Sequence, residues 1–570
     1  MVNKDDKSLD AEENKVSAPA NQDSKLPSRN LFGLLGLIAA SAGLAVSELV
    51  AGIINVPGPL IAVAGQVIDT APMWLVDVGR AMFDTNNKFA LGVGISVITG
   101  IVGFLAMRTR KLEIFAGVLG GFSLVSILAI AFDPQANFFH AILLTLITVV
   151  TALIVVIAGH QLLTAEPGKV SGEEGAPALA DDDGRRKFFG FAASAGILTG
   201  LAGFGAFSSR GSGRVDQARD GITFLDPENP EALDEIARVE ADQITVPAAD
   251  GNLTPYVQPV EDYYLIDTAV TKPSIDPDVW SLTINGMVDR QVTINYAELV
   301  EMSTTIAPVT LSCVSNPIGG DLVGNAVWQG VPLSQVLDMA GVQDGAEQIA
   351  SRSVDDWTCG FPVEAAYDGR VAMLCVGMNG EPLRQLHGFP ARLVVSGLYG
   401  YVSATKWIEE ITLTTWDGFD GFWIPRGWSK RGPVKLQSRI DLPGTTVSGS
   451  NSSQPIAGIA WAPNTGVERV ELRFIDEPPA GQQVDLTAPE NNQWIEADIG
   501  PTVNKDTWVQ WIYNWDVASY VAERGSDFTN RVVLQVRATD ANGDVQVEEI
   551  TEVAPSGATG FHTRGIEIVA

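Results

Sequence analysis

Residues 310–342 read TLSCVSNPIGGDLVGNAVWQGVPLSQVLDMAGV. An apolar run ends at Cys313, Asn316 follows, and a Gly-rich turn leads into a strand-like WQGVP and the helical pattern LSQVLDMAGV. A cysteine at a strand end is either a small buried hydrophobe or a soft thiolate aimed at a metal from a loop. Outward from this stretch the same texture holds. From about residue 258, short β-rich runs such as VWSLTING alternate with Gly, Asp and Pro turns. Strands mixed with a few helices predict an α+β domain.

Beyond residue 445 the helical signals fade. GVERVELRFID and NRVVLQVRATDANGD alternate apolar and polar residues, and DANGD is a hairpin turn signal. Residues 445–570 therefore read as a β-sandwich of Ig-like size. Upstream, residues 208–257 are Gly/Ser-rich, then acidic with scattered prolines, and read as a linker or wrapping arm.

The first part of the chain has another character. A spanning helix needs about 20 apolar residues. Residues 31–54, 88–107, 112–132 and 139–159 qualify, and 188–207 is a weaker fifth. Residues 57–83 carry Asp69, Pro72, Asp77 and Arg80 and read as an interfacial amphipathic hairpin. Lys25 and Arg29, then Arg108, Arg110 and Lys111, then Arg185, Arg186 and Lys187 form three basic clusters, whereas loops 57–87 and 133–138 are poor in positive charge. Five spans put every basic cluster on the cytoplasmic side. The expected architecture is a cytoplasmic tail (1–29) and a multi-pass α-helical bundle in the cell membrane (30–207), with everything after residue 207 extracytoplasmic.

Residues 185–189, RRKFF, precede a mild Gly/Ala-rich apolar segment. They fit an ordinary basic flank, and they also resemble the twin-arginine export signal. That route carries folded proteins, so it predicts a cofactor inserted in the cytoplasm into residues 208–570.

Composition removes several function classes. The 570-residue chain has a formal net charge of −31, unsuited to binding nucleic acid phosphates. Its three cysteines, Cys313, Cys359 and Cys375, exclude a disulfide scaffold and a multi-cysteine zinc or iron–sulfur site. No CxxCH is present, and only four histidines are available for haem. His140 and His160 lie at opposite ends of one span, too far apart to share a haem at 1.5 Å per residue.

The segments YYLIDTAV (263–270), LSCVSN (311–316), WQGVPL (328–333), HGFPAR (387–392) and TKW (405–407) resemble, in order, the sulfite oxidase family of molybdenum enzymes. The resemblance runs through 258–570, with 258–444 as the molybdopterin-binding domain and 445–570 as that family's Ig-like dimerisation domain. It implies a molybdenum–pyranopterin cofactor whose metal is held by one dithiolene and one protein thiolate, matched by Cys313. It implies that His387, Arg392 and Lys406 hold the pterin and its phosphate, with Tyr264 and Thr358 as weaker contacts. It further implies a homodimer and two-electron oxygen-atom transfer on a small sulfur or nitrogen oxo-species or a sulfoxide. The redox partner stays open between a quinone and a cytochrome.

The sequence also departs from the family. Pro317 and Ile318 stand where sulfite-oxidising members carry an arginine, and Phe422 and Trp357 stand where tyrosine is frequent. Arg426 and Arg431 are then either substitute cations or surface residues. Cys359 and Cys375 are left as either a disulfide or two buried thiols. A non-catalytic extracellular binding protein that kept the fold is the competing expectation.

Overall fold

The computed structural model describes residues 28–569 except 55, 73–74, 76–77, 80–81, 83–86, 134, 165–181, 209–211, 248–250, 478–492 and 525–527. The chain forms two compact units, taken in turn.

The first unit is helical: α1 (Arg29–Ile53), α2 (Pro59–Thr70), α3 (Asn87–Arg108), α4 (Leu112–Ala131), α5 (Phe138–Thr164) and α6 (Asp182–Ser208). Four stretches, Arg29–Ile53, Lys88–Arg108, Leu112–Ala131 and Phe138–Thr164, are long and apolar enough to cross a membrane. They coincide with the four strong segments of the sequence. α1 is the hub and packs on α3, α5 and α6. Its approach to α3 is backbone to backbone, because a Cβ on Gly36 would sit 2.1 Å from the Gly103 carbonyl oxygen and one on Gly103 would sit 2.7 Å from that of Gly36. Small residues let helices come this close where lipid removes the hydrophobic drive to associate. On the other side of α3, Val93, Val97, Ile101 and Leu105 stand exposed at four-residue spacing, a stripe suited to lipid. Within the stretch expected as an interfacial hairpin, α2 is a short apolar helix. The buried Glu48 carboxylate accepts the Leu60 N–H at 2.6 Å, satisfying a donor in the first turn of α2.

Among the described residues the second unit holds four sheets. β2 (Val292–Asn295), β1 (Ser281–Gly286), β10 (Ile408–Thr414), β5 (Gln348–Ser353) and β6 (Thr358–Pro362) form one, in that order. β3 (Thr305–Ser312), β4 (Val323–Pro332), β7 (Ala372–Met378) and β8 (Glu381–Pro382) form the second, with β9 (Arg392–Val395) on β7. Helix Leu333–Ala340 follows β4 directly, as LSQVLDMA predicts. One core fills this domain, drawing Leu282, Ile284 and Ile411 from the first sheet and Val309, Trp328, Leu374 and Leu393 from the second.

The C-terminal part is a two-sheet β-sandwich. β11 (Gln437–Leu442), β13 (Gln454–Trp461), β17 (Val509–Trp515) and β16 (Asp498–Ile499) face β12 (Thr446–Ser448), β19 (His562–Val569), β18 (Arg531–Asp540), β14 (Val467–Asp476) and β15 (Ile495–Glu496). Ile440, Ile456, Trp511 and Trp515 from one sheet meet Leu472, Leu534, Val536 and Ile566 from the other in a shared core. The tight β11–β13 pairing needs Gly458, since a Cβ there would lie 1.9 Å from the Arg439 carbonyl oxygen.

Residues 212–247 and 251–257 wrap onto this unit and include helices at Ser212–Asp220 and Glu231–Asp242. Arg219 donates to the Pro382 carbonyl, Asn229 exchanges two hydrogen bonds with Ile306, and the buried Tyr256 hydroxyl donates to Thr507 Oγ1. None of the three cysteines forms a disulfide. Cys359 lies on β6 and Cys375 on β7, in different sheets, so the bridge alternative gives way to two buried thiols.

Candidate functional site

Cys313 is the first residue past β3. Antiparallel pairing with β4 carries that strand to Ser312↔Val323, and the chain then turns away. The Cys313 N–H still donates to the Leu322 carbonyl at 2.9 Å, while Asn316 Oδ1 accepts the Leu322 N–H at 3.0 Å and closes the Gly-rich turn. The Cys313 sulfur is buried and accepts the Ser315 N–H at 3.4 Å, an arrangement that stabilises negative charge on sulfur.

The second contribution comes from HGFPAR. Gln385–His387 forms one 3-10 turn, Gly388 continues at φ +109, and the chain enters β9 at Arg392. Gly388 has to be glycine for space as well as for φ. A Cβ there would lie 3.0 Å from that of Lys406 and 3.1 Å from that of Arg392. The contact lets Arg392 and Lys406 pair as an isolated antiparallel bridge, with both side chains buried.

The Arg392 guanidinium lies 4.9 Å over the Trp328 ring and donates to the His387 and Leu393 carbonyls at 3.2 and 3.4 Å. Among the described residues it forms no ion pair. Burial, ahead of its neighbours, holds its pKa below the ordinary arginine value. Lys406 donates to Asp267 Oδ2 at 2.6 Å and to the Leu386 carbonyl at 3.0 Å, and lies over the Trp407 ring. Burial pushes its pKa down to about 8, with Lys272 and Arg392 adding to the drop and Asp267 opposing it. His387 Nε2 sits 3.1 Å from the Val260 carbonyl oxygen. A carbonyl only accepts, so Nε2 carries the hydrogen and Nδ1 is left as the acceptor of a neutral ring. Burial first, then Arg392, lowers the His387 pKa to about 4.

Tyr264 stacks on Tyr263 at 5.2 Å, and Tyr263 meets the edges of His387 and Trp328. The Tyr264 pKa is raised well above its ordinary value by burial, with Tyr263 and Cys313 adding and Arg392 opposing. Cys313, Tyr264, His387, Arg392 and Lys406 are therefore one electrostatic neighbourhood. Thr358 stands apart. It opens β6, and its carbonyl accepts the Phe422 N–H at 3.0 Å. Its link to the others runs through Cys359, whose sulfur contacts Ser351 and Thr405 at 3.3 and 3.1 Å, next to Lys406.

Of the candidate cations outside the motif, Arg426 lies 3.6 Å over the Phe422 ring and Arg431 lies 4.9 Å over Trp416. Trp357 Nε1 is buried without a hydrogen-bond partner beside Thr358. Sequence reasoning passed over Trp328, Asp267 and Lys272. The last two lie in YYLIDTAVTK, the stretch that also carries Tyr264.

A buried thiol and a buried guanidinium that both act on Tyr264, with a second cation and a neutral histidine next to the guanidinium, form a set of groups suited to an anionic cofactor. An unpaired buried cation costs several kcal/mol unless an anion answers it, so the residues present fit a phosphate-bearing pterin. Comparisons agree. The family described as "Oxidoreductase molybdopterin binding domain" matches residues 269–423. An uncharacterized oxidoreductase, YuiH, of Bacillus subtilis is 31% identical over 157 residues, which are 28% of this chain and 76% of that protein. Sulfite oxidase of Arabidopsis thaliana is 25% identical over 358 residues, 54% of this chain and 86% of that one. A nitrate reductase of Brassica napus is 29% identical over 186 residues, 28% of this chain, which spans only 20% of that enzyme. The chain belongs to the sulfite oxidase family of molybdopterin-dependent oxidoreductases. It is an enzyme whose cofactor is molybdopterin, and the alternative of a non-catalytic binding protein falls.

The neutral His387 has a measurable consequence. Between its ordinary pKa of 6.5 and its folded value of about 4, the unfolded chain takes up a proton that the folded chain refuses. Stability therefore falls as pH drops through that window, by on the order of 3 kcal/mol at its lower end. His387→Gln keeps an N–H for Val260 and removes this loss. Melting temperatures of the two chains from pH 6.5 to 4 should fall more steeply for the wild type, and parallel curves would refute the neutral ring.

Proposed function

We propose that this protein is a membrane-anchored molybdenum oxidoreductase working at the extracytoplasmic face, and that it transfers an oxygen atom to or from a small sulfur or nitrogen oxo-species or a sulfoxide. The observation that carries the reading is the buried Cys313 sulfur at the end of β3, joined through Tyr264, on which both act, to the Arg392 guanidinium that lacks a carboxylate among the described residues. When bound, the cofactor supplies a metal that accepts or gives an oxygen atom with two electrons. The chain supplies the rest. Cys313 gives a soft anionic donor. Arg392 and Lys406 neutralise the phosphate. His387, with Nδ1 left as an acceptor, would help hold the pterin, and its neutral state adds no charge beside Arg392. Tyr264, protonated and next to Cys313, holds a proton for the substrate oxygen.

Substrate charge follows from the loop after Cys313. Pro317 and Ile318 offer no cation, and Arg426 is stacked on its own phenylalanine. A neutral sulfoxide or N-oxide suits such a pocket better than sulfite. Reduction then consumes two electrons and two protons and releases water. A quinone or a cytochrome is the electron partner.

We read α6 as the fifth span and Arg185-Arg186 as a twin-arginine signal that hands the loaded domain across folded. The 437–569 sandwich is read as the family's Ig-like dimerisation domain, giving a homodimer.

Metal analysis and turnover test the chemistry together. The purified wild type should carry molybdenum, and Cys313→Ser should keep its fold yet lose all turnover, because a hydroxyl is a poorer donor to the metal. Full activity in that variant would remove Cys313 from the site. Topology is tested with Arg185→Lys/Arg186→Lys, which preserves charge. The double variant should leave residues 208–570 on the cytoplasmic side, accessible to protease only after lysis. Normal export would reduce the arginines to a basic flank.

A further inference from the structure

The strip that carries Tyr264 continues through Asp267 to Thr271 and Lys272. The Asp267 side chain is only 9% exposed, and its two oxygens take two different ammonium groups: Lys406 Nζ on Oδ2 at 2.6 Å and Lys272 Nζ on Oδ1. One lysine would neutralise this carboxylate. Two leave positive charge in excess, and Arg392, which also acts on Lys406, adds to it. The other acidic group facing Asp267 is Asp355, which is engaged with Ser353 and the Trp357 N–H and whose own pKa is raised by burial. Lys272, Lys406 and Arg392 thus carry one positive charge more than Asp267 and Asp355 answer, an arrangement that calls for an anion.

Lys272 is not a loose surface side chain. Gln385, two residues before His387, donates through Nε2 to the Lys272 and Pro273 carbonyls at 3.3 and 3.0 Å. The ammonium also donates to the Ala269 carbonyl at 3.3 Å, and the side chain keeps 30% exposure. Beside it, Thr271 Oγ1 is buried without a hydrogen-bond partner, a hydroxyl with its donor unspent.

We propose that Lys272, with the Thr271 hydroxyl, is a further anchor for the phosphate end of the cofactor, and that Asp267 is the positioning residue that holds Lys272 and Lys406 together for it. This rests on the cofactor lying in the Cys313–Arg392 pocket. Asp267 keeps the two ammonium groups side by side against their mutual repulsion, and the phosphate then takes up the excess charge that the single carboxylate leaves.

The test uses the full chain purified with its cofactor. Molybdenum per polypeptide is measured by mass spectrometry and pterin by fluorescence of the released, oxidised ring, with circular dichroism as the check on folding. The rate of molybdenum loss during dialysis against inorganic phosphate gives a second readout. Lys272→Gln should lose its cofactor about tenfold faster than the wild type, the effect of one charge-assisted hydrogen bond. Lys272→Arg should retain it, and Thr271→Val should show a smaller loss. Asp267→Asn should lower occupancy although it removes a negative charge, which a purely electrostatic role would not do. Wild-type retention in Lys272→Gln overturns the anchor. If Lys272→Gln does not fold, Thr271→Val decides, and unchanged retention there overturns the proposal. Unchanged content in both Arg392→Gln and Lys272→Gln would show instead that the pocket itself is misplaced.

Discussion

A guanidinium buried without a carboxylate is the constraint around which the catalytic domain is arranged. Arg392 has two backbone carbonyls and one indole face for company. A structure spends stability to hold such a charge dry, and the cost is recovered only when an anion arrives. The same charge makes its surroundings selective. It depresses the His387 and Lys406 pKa values and opposes the rise at Tyr264. Burial is the larger cause of each shift, and Arg392 adds to it at His387 and Lys406.

Holding that arrangement still requires support on the far side of β3. Thr310, three residues before Cys313, donates its N–H to the Asp506 carbonyl, and its hydroxyl accepts the Trp508 N–H at 2.7 Å. Asp506 in turn takes the Ser396 hydroxyl just past β9. Both strands that deliver site residues, β3 and β9, are therefore pinned by the same loop of the C-terminal sandwich. At the loop after Cys313 the sandwich again comes close. Arg439 donates to the Gly320 carbonyl at 3.0 Å, and a Cβ on Gly319 would meet the His562 ring at 2.3 Å. The sandwich is part of what sets the geometry of the site.

Much of this was legible because the chemistry lies in short motifs. LSCVSN, HGFPAR and TKW each keep their candidate site residue within a few positions of the turn or strand that carries it. The four helices long and apolar enough to cross a membrane were legible from hydropathy alone. What stayed hidden depends on distance along the chain. Asp267 meets a lysine 139 positions away, and Trp328 lies under Arg392 only because β4, β7 and β9 are neighbours. Periodicity reports which face of a strand is buried and says nothing of its partner. The same blindness left Cys359 and Cys375 open as a bridge, although their strands belong to different sheets. The helices within 208–257 were also missed, since Gly, Ser and acidic composition masked the short apolar face that buries Ile236 and Val239.

The account stands or falls on whether the Cys313 sulfur is bound to the metal. X-ray absorption at the molybdenum edge counts sulfur neighbours directly, in the wild type and in Cys313→Ser loaded with cofactor. The account predicts that the variant has one sulfur fewer in the metal's first coordination sphere, replaced by a lighter oxygen or nitrogen scatterer. An identical sulfur count in the two proteins would contradict it.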